Sequence, residues 1–103
     1  MLIVETTVAS AEEAERLTGA LLDRRLAACV QQGAVISTYR WQGEVERSDE
    51  VLLRIKAPAS ARAALVAAVE ELHPYETPEI VIVEGTASDR YGAWVDAESE
   101  AAG

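Results

Sequence analysis

Phenylalanine is absent from this chain, and cysteine, histidine, methionine and lysine occur once each. A single cysteine cannot close an internal disulfide, so the fold has to hold without a covalent staple, as expected in a reducing, cytoplasmic setting. One histidine and one cysteine also exclude a local ligand run of the Cys-x-x-Cys or His-x-x-x-His kind. A metal centre would have to be assembled by the fold or across subunits. Basic residues are scarce, 9 against 18 acidic ones, for a formal net charge of -9. Such a surface repels phosphate backbones and offers no counterion-release drive, which removes nucleic acid from the expected partners. No apolar run approaches the roughly 20 residues that cross a bilayer. Met1-Leu2-Ile3-Val4-Glu5 carries no basic stretch of the kind that opens a secretory signal, so no membrane association is expected. There is no Gly-rich phosphate loop and no Ser/His/Asp signature, and no enzymatic activity is expected.

What is present suits one small domain over residues 1–103, with 50% hydrophobic and 26% charged residues and no internal linker or tandem repeat. Leu2 to Thr7 is β-prone, and Ser10 with Glu13 forms a capping box that opens a helix carrying Ala14, Leu17, Leu21 and Leu22 on one face. Ala27 to Val30 is apolar, Gln31-Gln32-Gly33 interrupts it, and Val35 to Trp41 alternates; this reads as one long strand with a bulge or as two short ones. Gln42-Gly43 makes a tight turn, and Glu44 to Glu46 with Val51 to Lys56 runs back as the second arm of a hairpin that outgrows the domain. A helix follows from Ser60 to Leu72, then a strand from Glu79 to Glu84, then a terminal helix from Ser88 to Glu98 with Tyr91, Trp94 and Val95 at helical spacing. The order βαββαβ plus a C-terminal helix predicts an α+β ferredoxin-like sandwich, an antiparallel sheet with two helices on one face. The other face and the overhanging hairpin call for a second copy of the protein.

The segment His73-Pro74-Tyr75-Glu76-Thr77-Pro78-Glu79 holds the chain's chemistry-bearing residues at a rigid joint. Pro74 disfavours a helical backbone at His73, stops the preceding helix there and presents the imidazole at a fixed place. Cys29 sits in an apolar strand, where a cysteine behaves as a small hydrophobe, or as a soft metal ligand if a second ligand lies near. Glu76 and Glu79 are either solvated carboxylates or oxygen ligands. Tyr39 and Trp41 near the hairpin tip fit a protein interface. Lys56 closes a strand among acidic groups.

Leu26-Ala27-Ala28-Cys29-Val30, Tyr39-Arg40-Trp41-Gln42-Gly43 and His73-Pro74-Tyr75-Glu76-Thr77-Pro78-Glu79, with Tyr91-x-x-Trp94, together resemble the CutA-type divalent-cation tolerance family. The resemblance implies a homotrimer in which neighbouring strands join edge to edge and the Trp41 hairpin is clasped by the next copy. It also implies a response to divalent metals, copper especially, without an established enzymatic activity. Carried over residue by residue, it leaves His73 and Cys29 as metal ligands. Thr6 and Leu72 stand where some members have a further cysteine and histidine. Thr7, Tyr39, Lys56, Tyr75, Glu79 and Trp94 match positions of a cleft between subunits. The alternative is a PII-like signalling or scaffold trimer that binds a small ligand between subunits. The short Gln42-Gly43 turn differs from the long recognition loop of PII proteins.

Overall fold

Strand β1, Leu2–Val8, buries Leu2, Val4, Thr6 and Val8 on one side, the period-two pattern of a strand with one covered face. The computed structural model describes residues 1–99; the last four residues of the expected domain lie outside them. Helix α1 is Ala11–Asp23, strands β2 and β3 are Cys29–Trp41 and Glu44–Ala57, and helix α2 is Arg62–Leu72 after a short 3-10 turn at Ala59–Ala61. Strand β4 is Val81–Glu84 and helix α3 is Asp89–Ala97. The sheet order is β2-β3-β1-β4 with every neighbouring pair antiparallel, the ferredoxin-like arrangement that the element order predicts.

The register divides the sheet into two faces. Val4 opposite Ile55 and Leu2 opposite Ala57 join Leu53 of β3, Leu17 and Leu21 of α1 and Leu65 and Val69 of α2 in one buried cluster. Each such aliphatic side chain contributes on the order of 1.5 to 3 kcal/mol by leaving water. On the opposite face Val81 and Val83 remain 45% and 44% exposed. That face is covered at one end by α3, whose Tyr91 ring lies 5.6 Å from the Lys56 ammonium.

Three sequence expectations are refined. Residues 31–33 make neither a bulge nor a break, because the Gln32 amide donates to Glu15 Oε1 at 3.2 Å and Thr18 Oγ1 at 3.1 Å, tying an unbroken β2 to α1. The Ser10 hydroxyl accepts from Glu13 N–H at 3.2 Å as expected, while the Glu13 carboxylate accepts from Ala9 N–H, one residue before the cap. Strand β4 begins at Val81 opposite Glu5 rather than at Glu79. Pro78 has no N–H to give, and the Thr7 carbonyl is already occupied by a side chain from the joint.

Thr6 is fully buried, and its hydroxyl has no hydrogen-bond partner among the described residues. A buried, unpaired hydroxyl costs about 1 to 3 kcal/mol, and valine has the same shape without it. Thr6→Val should therefore raise the urea midpoint of unfolding, by about 1 kcal/mol of stability; a lower midpoint would show that the hydroxyl has a partner.

Candidate functional site

Beyond Val8 opposite Val51, strands β2 and β3 pair only with each other, from Val35 opposite Glu50 to Trp41 opposite Glu44. At about 3.3 Å per residue the free ribbon projects roughly 20 Å from the sheet. Its turn is made by Gln42 at φ 50° and Gly43 at φ 83°, two consecutive left-handed residues whose twist suits a two-residue hairpin. Trp41, Ile36 and Val45 on this ribbon are 56%, 58% and 64% exposed.

The joint after α2 is built around His73. Its backbone is extended, with φ -72° and ψ 135°, as the following proline requires, and its ring is buried. Nε2 lies 2.9 Å from the Thr7 carbonyl oxygen; a carbonyl only accepts, so Nε2 carries the proton. Nδ1 accepts the Tyr75 N–H at 3.0 Å. The imidazole is thereby fixed in one tautomer and orientation, with its ring 4.8 Å from that of Tyr75. The Tyr75 hydroxyl donates to Glu50 Oε2 at 2.8 Å. Burial, reinforced by Glu50, pushes the Tyr75 phenol well above its usual range. The Glu79 carboxyl is raised as well, by desolvation first and then by the charges of Glu5 and Glu50.

Between the ribbon and the joint lies an open groove of ≈ 770 Å³. Thr7, Tyr39, Tyr75 and Glu79, all expected at a cleft, line it together, and so does Trp41. Glu50 and Glu76 add carboxylates, while Asp49 borders the groove from the other face of the ribbon, and among the described residues no lysine or arginine lines it. Lys56 and Trp94, expected with them at a cleft between subunits, do not line this groove of the single chain: Lys56 sits opposite Ile3, and Trp94 stacks on Tyr91 of α3, with ring centroids 5.7 Å apart. Glu50 was not singled out in the sequence. Its signal was the alternation along β3, which sets Glu44, Glu46, Ser48 and Glu50 on the same face as Tyr39 and Trp41.

The expected pairing of His73 with Cys29 as metal ligands is not assembled within the chain. Cys29 pairs with Lys56, which is opposite Ile3, while His73 is bonded at Thr7; four residues of strand separate those positions by about 13 Å. Both imidazole nitrogens are already engaged. Among the described residues no group of three or more His, Cys, Asp or Glu side chains is placed to hold a metal ion.

A family model described as CutA1 divalent ion tolerance protein matches residues 2–98. The divalent-cation tolerance protein CutA of Thermus thermophilus is 46% identical over 80 residues, covering 77% of this chain and 78% of the relative. The crystal structure of CutA1 from Pyrococcus horikoshii superposes with a TM-score of 0.94 at 31% identity, covering 97% of this chain and 99% of that one. The PII-like protein CutA from Nostoc sp. PCC 7120, in apo form, superposes with a TM-score of 0.91 at 34% identity, covering 97% and 98%.

The raised Glu79 carboxyl fixes the sign of a pH effect. A group whose folded pKa exceeds its unfolded value contributes stability below the unfolded value and loses it as pH rises through the folded one. Glu79→Gln should therefore unfold at a higher urea concentration than the parent at neutral pH, and the two curves should converge in acid below the ordinary glutamate range. A difference that does not vary with pH would show that Glu79 does not sense Glu5 and Glu50.

Proposed function

The chain belongs to the CutA1 divalent ion tolerance family, and we propose on that premise that it works as a cytoplasmic homotrimer in the response to divalent cations, copper among them. The observation that carries this reading is the overhanging ribbon, which keeps Trp41, Ile36 and Val45 in water when the chain is alone. A free ribbon with apolar side chains on both faces is a liability unless a neighbour covers it. In a closed ring of three, each copy clasps the ribbon of the next and the exposed face of Val81 and Val83 turns inward. Turnover of a substrate is not part of this reading. The cation is bound at the boundary between copies, with ligands completed by a neighbouring subunit and water, since a lone chain offers no three-ligand group among its described residues.

A second reading, a PII-like trimer that takes a small molecule, is favoured by the groove itself. Its ≈ 770 Å³ falls in the range of small-molecule sites. The two-residue turn at Gln42-Gly43 argues against a PII-type recognition loop.

Light scattering at micromolar concentration should give the mass of three chains. Trp41→Ala should shift the dilution curve toward smaller species, since a large interface aromatic contributes on the order of 2 kcal/mol, while Cys29→Ala should keep the trimer. A monomeric or dimeric parent, or a Trp41→Ala protein with an unchanged dilution curve, overturns the clasped-ribbon reading.

Calorimetric titration with cupric and zinc ions tests the cation. Binding to the trimer that is lost in the dissociated Trp41→Ala protein is the expected result; no binding to the trimer, or equal binding by the separated chains, overturns a site between copies.

A further inference from the structure

The free ribbon has two electrically different faces. On the groove face Tyr39 and Trp41 stand with Glu44, Glu46 and Glu50; on the other, Ile36 and Val45 stand with Arg40, Arg47 and a single acid, Asp49. Thr38 is opposite Arg47 and Arg40 opposite Val45, so the two guanidinium groups are diagonal neighbours, with Cβ atoms roughly 7 to 8 Å apart.

These two arginines also differ from most other bases of the chain. Arg16, Arg24, Arg54 and Arg62 are paired with Glu12, Glu71, Glu5 and Glu84. Arg25 donates to the Ala97 carbonyl and Lys56 lies over Tyr91. Arg40, Arg47 and Arg90 make no such contact among the described residues and all three are exposed, but only Arg40 and Arg47 are neighbours. A chain of net charge -9 thus leaves two like charges side by side on an exposed ribbon while its groove collects carboxylates without a base.

We propose that the occupant of the groove is the basic ribbon face of a second copy, with Arg40 and Arg47 of one subunit docking on Glu76 and Glu79 of the next. This inference rests on the trimer reading and specifies the contact that closes it. Ile36 and Val45 of the incoming ribbon meet the groove aromatics, and the guanidinium groups meet carboxylates that otherwise repel one another. Because each ribbon presents its acidic face to its own groove and its basic face to a neighbour, the contact is head to tail. Such a contact leaves no open end once the ring closes. Charge complementarity of this kind selects the partner and its register, and like charges set against each other disfavour the wrong one.

Charge reversal tests it. The pair Arg40→Glu with Arg47→Glu, and separately the pair Glu76→Arg with Glu79→Arg, should each move the dissociation midpoint to at least about tenfold higher protein concentration. The four substitutions together should restore the parental trimer. All four positions are exposed, so the separated chains should keep the parental circular dichroism. A trimeric parent with either reversed pair still at the parental midpoint overturns the docking inference alone. Failure of the four-fold variant to regain the trimer overturns it too. A parent that is itself monomeric overturns the trimer reading along with it.

Discussion

One hydrogen bond, from His73 Nε2–H to the Thr7 carbonyl, holds the end of α2 to the end of β1, and the geometry of the groove follows from it. With the imidazole fixed at both nitrogens, the backbone of Tyr75 is fixed, and its ring is aimed at Glu50 on the ribbon. A buried polar pair of this kind is expensive to leave half made, so the joint behaves as one unit with the sheet. The residue type follows from the demand: among side chains, a neutral imidazole donates through one ring nitrogen and accepts through the other from the same rigid plane.

The second organising element is β3. Its half near Leu53 and Ile55 lies in the core, and its other half carries Glu50, Ser48 and Glu46 into the ribbon without interruption. The groove is therefore made by a strand anchored in the monomer core and by a joint anchored on β1. Its preformed walls in a single chain leave a neighbour little conformational entropy to remove on docking.

Much of the fold was legible from local patterns. The Ser10 cap, the turn at Gln42-Gly43 and the stop at Pro74 are decided within a few residues, and each stands where the sequence puts it. What local patterns misjudged was set by contacts distant in sequence: Gln32 reaching α1, and β4 losing Glu79 and Ile80 because Thr7 is occupied by His73. Of the residues that motif resemblance assigns to a cleft between subunits, Thr7, Tyr39, Tyr75 and Glu79 line one groove of the single chain, and Lys56 and Trp94 gather at α3. Glu50 needed the register, which spacing within β3 suggests only once its partner strand is known. The two expected ligands show the same limit: Cys29 and His73 look equally plausible in one dimension, and only the sheet register shows that within one chain they stand at opposite ends of β1.

The unbroken course of β3 has a consequence for backbone amide exchange. A single strand passes from a position flanked by β1 and β2 to one flanked by β2 alone, so its amides cannot share one protection factor. In a separated chain those near Leu53 and Ile55 open only with the whole fold, while those from Glu44 to Glu50 exchange through fraying of a two-stranded ribbon. In an assembly that covers the ribbon this gradient flattens, and the exchange pattern along one strand reports how many copies surround it.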